Sequence, residues 1–153
     1  MLFISTQLSC RLQAGCFEGG IVNHYWTGEA PWVHLLEGDA RRSSFLLPPS
    51  GTSYVAWLDG AEMGDEQRLF EQMSARLRFP VYFGWNWNAL SDCLRDMGWA
   101  PADHYLIVIE RSALMLQGSA EDRETLLKIL ERAGQHWGLS LDRSGKSFNS
   151  LLL

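Results

Sequence analysis

A chain of 153 residues, 46% of them hydrophobic, can bury one compact core and is too short for two full-sized domains. Its formal net charge of −5 disfavours the phosphate backbone of nucleic acids and favours basic partners. No apolar run approaches the roughly 20 residues of a membrane span, so neither nucleic acid nor membrane is expected as a partner.

In chain order, the first fifty residues carry short β-prone runs at Ile21–Trp26, Trp32–Leu36 and Ser43–Leu47. Gly19-Gly20, Pro31, Gly38-Asp39 and Pro48-Pro49 punctuate them, and no helical stripe appears. The reading is a small antiparallel or irregular β-rich extension over residues 1–50. After the boundary at Pro48-Pro49-Ser50-Gly51 the elements alternate. Tyr54–Leu58 reads as a strand ended by Asp59-Gly60. Asp65 can cap a helix with Leu69, Phe70, Met73 and Leu77 on one face. Asn86 can cap a second helix running to about Met97. His104–Glu110 holds a continuous apolar run, as in strands covered on both faces. Ser119 and Asp122 resemble a capping box. They open a helix striped by Leu126, Leu127, Leu130, Ala133 and Trp137, with Gly138 as its expected stop. Ser147–Leu153 supplies a last strand. Strands separated by helices pair in parallel, so residues 51–153 are expected to form a small three-stranded parallel sheet packed by helices, an α/β domain. Residues from Ser53 onward hold all these elements and should fold without residues 1–50.

The segment Phe79–Leu94 is the most informative. Along its helix Trp87, Leu90, Cys93, Leu94 and Met97 gather on one side, and Asn88, Ser91, Asp92 and Arg95 on the other. The polar side stands on a rigid element beside the aromatics Tyr82, Phe83 and Trp85. Binding hot spots favour such residues around a desolvated centre, and Tyr82 and Trp85 could ring Asp92.

Pro80, Tyr82-Phe83, Gly84, Asn86, Asn88-Ala89-Leu90, Asp92-Cys93-Leu94, Asp96 and Gly98-Trp99 together resemble the signature of the barstar family of ribonuclease inhibitors. The resemblance covers about residues 53–153. It implies an intracellular, immunity-type inhibitor that binds a basic ribonuclease or nuclease toxin one-to-one. The helix and its preceding loop would enter the enzyme's catalytic groove, with a carboxylate standing where the RNA phosphate would sit. By position, Asp92 is that carboxylate, and Tyr82, Phe83, Gly84, Trp85, Asn86 and Asn88 line the contact, with Ser91 and Arg95 at its flank. Cys93 matches a buried family cysteine. The chain departs from the family at Asn88, where an Asp is common, and at Arg95, a base on the binding face. Trp85 is also bulkier than usual, and Arg132, beside Glu131, falls about where a family acid contributes.

Other chemistries find little support. Asp92 and Asp96 have helical spacing, but read more simply as one binding acid and one solvated acid than as a catalytic pair. His24, His34, His104 and His136 show no metal-ligand spacing, so no metal or cofactor is expected. Gly145-Lys146-Ser147 lacks the upstream glycine of a phosphate loop and precedes no helix. Cys10, Cys16 and Cys93 form no CxxC pair, and Met1–Ser5 lacks a positive, then apolar, leader pattern; both point to the cytoplasm. Arg41-Arg42, the one adjacent basic pair, reads as solvated loop. The alternative function is an interaction module of the same fold with a non-nuclease partner.

Overall fold

The computed structural model describes residues 25–36 and 50–153. Cys10, Cys16, His24, Arg41-Arg42, the run Ser43–Leu47, most of Ile21–Trp26 and the Pro48-Pro49 boundary lie outside the described residues. Among the described residues four strands, β1 (Val33–Leu35), β2 (Ser53–Asp59), β3 (His104–Glu110) and β4 (Ser147–Leu152), form one sheet in the order β1-β4-β3-β2. Every pairing is parallel. Helices α1 (Glu66–Leu77) and α2 (Trp87–Asp96) connect β2 to β3, and α3 (Ala120–Leu139) connects β3 to β4.

The alternation of strand side chains divides the core. Ala56, Leu58, Tyr105, Ile107, Ile109, Phe148 and Leu152 face the three helices. Leu106, Val108 and Leu151 face the other way, where Trp26, Tyr25, Leu36 and Leu153 pack against them. β3 is thus covered on both faces, as its unbroken apolar run requires. The expected caps form: Asp65 accepts from Arg68 N–H at 2.9 Å, and Ser119 accepts from Asp122 N–H at 3.1 Å. The α1 stripe Leu69, Phe70, Met73 and Leu77 is buried in full.

Two expectations need correction. The sheet has four strands, not three, because Trp32–Leu36 supplies β1 to the main sheet and does not stand apart as an extension. The physical reason lies in β4, whose six residues are all buried and whose outer backbone edge must find partners. Ser150 N–H donates to the Trp32 carbonyl at 2.8 Å and Leu36 N–H to the Leu152 carbonyl at 2.9 Å. Asn149 adds side-chain ties, donating to the Thr27 carbonyl at 3.0 Å and meeting His34 Nε2 at 3.2 Å.

Gly138, the expected stop of α3, lies inside it, since the helix continues to Leu139. Its bare backbone instead lets another segment approach. A Cβ on Gly138 would strike the Gly28 carbonyl, and one on Gly134 would strike the Trp32 side chain and crowd the Phe148 carbonyl.

Gly134→Val is therefore expected to lower the unfolding free energy by about 1–3 kcal/mol through overpacking against Trp32. Gly118→Val, at a site with nothing within 4 Å of an added Cβ, should stay within about 0.5 kcal/mol of the parent in urea unfolding. Deleting residues 1–50 removes β1, Trp26 and Trp32 but leaves β2–β4 and all three helices. That chain is expected to keep its helical circular-dichroism signal with a lowered urea midpoint, and a random-coil spectrum would show that residues 51–153 cannot fold without β1.

Candidate functional site

The first layer of the site is the anchoring of α2. Leu90, Cys93, Leu94 and Met97 are buried, which turns Asn88, Asp92 and Arg95 outward and leaves Ser91 half-buried. Asn86 caps the helix: its Oδ1 accepts from Ala89 N–H at 2.9 Å while its Nδ2 donates to the Gly84 carbonyl at 2.9 Å. One side chain thus closes the helix and fastens the preceding loop to it. At the other end Met97 adopts a left-handed backbone (φ 51°), and its N–H donates to the Cys93 carbonyl. Trp137 of α3 donates its indole N–H to the Leu94 carbonyl at 2.9 Å, and Arg143 donates to the Arg95 carbonyl at 2.6 Å.

The loop between α1 and α2 rests on aromatic rings. Left-handed Arg78 (φ 54°) ends α1, and Phe79 N–H reaches back to the Ser74 carbonyl at 3.0 Å. Phe83 N–H then closes a turn on the Pro80 carbonyl at 2.9 Å. Phe83 itself points into the core, against Phe79, Phe70 and Trp85 at ring separations of 4.8, 6.0 and 5.1 Å. It is the platform beneath the surface and not part of that surface. The reason is burial: a side chain 4% exposed offers a partner almost no area.

Above that platform Tyr82 and Trp85 are 71% and 54% exposed, large aromatic areas that no internal contact explains. Trp85 adopts φ 53°, an uncommon conformation for a bulky residue, and its ring lies beside Phe83. Beside it Asp65, Glu66 and Gln67 of the α1 start, with Phe70, complete a groove of about 360 Å³. Val81, fully exposed next to Tyr82, was not among the expected contact residues. An isolated valine in a loop carries no periodic signal.

The charge pattern along α2 is mixed. Asp92 is exposed, and Arg95, one turn on, donates to it at 2.5 Å while its Nε donates to the Ser91 carbonyl at 3.3 Å. The expected base and acid are therefore paired to each other. Below them, burial and the neighbouring charges of Asp92 and Asp96 raise the Cys93 pKa, so the thiol stays protonated at neutral pH. Past Arg95, the end of α3 contributes Arg132, Gln135 and His136 to a second cleft. Arg132 and His136 stand four residues apart in sequence, but nothing in the sequence places them beside Arg95.

Among the described residues no group of three His, Cys, Asp or Glu could hold a metal ion. No helix there is long and apolar enough to cross a membrane.

The molecule is thus a small parallel α/β domain whose helices share one sheet face, with α2 displaying a polar and aromatic side. The family model described as Barstar (barnase inhibitor) matches residues 54–152, from the second residue of β2 to the last of β4. The chain belongs to the barstar family. β1 lies outside the matched residues. No curated protein matches the sequence.

Two measurements check this anatomy. Asn86→Ala should cost about 1 kcal/mol of stability in urea unfolding, with Asn86→Asp retaining most of it as an alternative cap. Alkylation of the native protein at neutral pH, mapped by mass spectrometry, should leave Cys93 unmodified until denaturant is added.

Proposed function

We propose that the protein is a one-to-one inhibitor of a ribonuclease or nuclease toxin, acting inside the cell and turning over no substrate itself. The observation that carries this reading is the placement of Asp92. Its carboxylate stands exposed on a helix capped at one end and tied to α3 at the other, with Tyr82 and Trp85 exposed on the preceding loop. A carboxylate on a rigid helix loses little entropy on binding, and the exposed aromatics of the preceding loop would add contact area. Such a group suits a catalytic groove built from cations to hold a phosphate. Tyr82, Gly84, Trp85, Asn86 and Asn88 would line the contact, with Ser91, Asp92 and Arg95 continuing it along α2. Membership of a family described as barnase inhibitors supports the same reading.

A second reading, an interaction module with a non-nuclease partner, is favoured by one feature: Asp92, the acid expected to meet the enzyme, is already paired to Arg95 on the same helix.

Titrating a panel of secreted ribonucleases, barnase included, with the full chain should end inhibition at one equivalent for the target enzyme. Multiple turnover of any nucleic acid by the chain itself would defeat the proposal, and binding of a non-nuclease without inhibition of any ribonuclease would favour the second reading. Asp92→Ala should weaken the inhibited complex by about 2–5 kcal/mol, because basic groups of the enzyme are left buried without a counter-charge. Added salt should slow association more than it speeds dissociation, an expectation taken over from the family's founding complex.

A further inference from the structure

The end of α3 and the end of α2 enclose an open cleft of about 460 Å³ lined by Arg95, Arg132, Gln135, His136, Leu139 and Ser140. In a chain of net charge −5 its charged lining is entirely basic. The Arg132 side chain makes no hydrogen bond or ion pair among the described residues. Arg143 stands next to the cleft, its guanidinium 3.9 Å over the Trp137 ring and donating to the Arg95 carbonyl at 2.6 Å; it too has no acidic partner. Burial, then the charges of Arg143 and Arg95, lower the His136 pKa, so the ring is neutral near pH 7 and able to accept or donate a hydrogen bond. Asp92 occupies only part of the Arg95 fork, whose five donors exceed the bonds it makes here.

We propose that this cleft is a recognition site for an acidic side chain of the protein partner, received between Arg132 and Arg95 with His136 and Gln135 as further hydrogen-bonding groups. The proposal rests on the inhibitor reading for the identity of the bound face and adds the chemistry of one contact. Arg95 lies on both the outward side of α2 and the cleft, so a molecule seated on α2 extends directly into it. A protein is favoured over a nucleic acid. Exposed Leu139 lines the cleft and exposed Leu141 follows two residues on, offering the apolar contact that a protein surface can match. The target enzyme would then carry, beside its cationic groove, an acid that rejects inhibitors with a second carboxylate at this position. Specificity by such charge reversal needs only one repelling pair.

The test uses the isotope-labelled full chain at low ionic strength, titrated with a blocked tetraglutamate peptide and separately with tetrauridylate RNA. The peptide should shift the signals of Arg95, Arg132 and His136 saturably. Arg132→Glu should weaken that binding by about tenfold or more, and Arg132→Gln by less. Arg132 is exposed and unpaired, so both variants should keep the dispersed spectrum of the parent. Peptide shifts scattered over the surface, binding unchanged by Arg132→Glu, or tighter cleft binding by the RNA would each overturn the proposal. Peptide binding without inhibition of any ribonuclease would sink the inhibitor reading alone. Inhibition without peptide binding would sink this inference alone.

Discussion

β3 is the strand on which the rest of the molecule hangs. It is paired in parallel on both edges, with β2 over seven residues and with β4 over six, and both its faces are buried. Parallel neighbours cannot be joined by tight turns, so the chain must leave and return by crossovers, and those crossovers are the helices. All three lie on one face because the chain steps from β2 to β3 to β4 in one direction by right-handed crossovers, and Tyr105, Ile107 and Ile109 give them a common apolar floor. The opposite face, built on Leu106 and Val108, is covered by Trp26 and its neighbours. A polar substitution in β3 would disturb whichever half of the core that residue faces.

α2 inherits its rigidity from that arrangement. Its inner side is fully committed to the core, and its two ends are held by different devices. At the start, Asn86 bonds both the helix and the loop. At the end, Trp137 and Arg143 donate to carbonyls of the last turn, which a free helix leaves unsatisfied. The aromatic series Trp85, Phe83, Phe79 and Trp99 continues the support beneath the loop, and the Trp99 indole N–H is tied to the Leu77 carbonyl at 3.0 Å. A surface held in this way can present a carboxylate without first having to order it.

The surface is also divided by charge. At the Trp85 end stand Asp65 and Glu66; at the far end stand Arg95, Arg132 and His136. Between them the exposed acid Asp92 is bonded to Arg95. A uniformly cationic partner would meet repulsion at the far end, and a uniformly acidic one at the near end. The face therefore suits a partner whose own charge changes sign across the contact. On the proposed reading, selectivity would come as much from misplaced charge as from matched charge.

The local elements were legible in the sequence because short-range physics dictates them. The β3 bounds follow from one apolar run, and Asp65, Asn86 and Ser119 cap their helices as their side-chain chemistry suggests. The division of α2 into Leu90, Cys93, Leu94 and Met97 inside, with Asn88 and Asp92 outside, follows from helical spacing. What only the tertiary structure decided were contacts between distant segments. Phe83 sits in a run of aromatics whose pattern cannot tell platform from surface; Phe70 and Phe79 draw it inward. Gly138 looks like a helix stop until Gly28 and Trp32 are seen to need its missing side chain. Trp32–Leu36 reads as β-prone, but that β1 joins the main sheet was hidden, because its partner β4 lies more than a hundred residues away in sequence. The Arg95–Arg132–His136 cleft likewise joins two helices whose sequence separation hides it. Periodicity and capping act within a few residues, whereas edge pairing, ring packing and charge clustering depend on which surfaces the fold brings together.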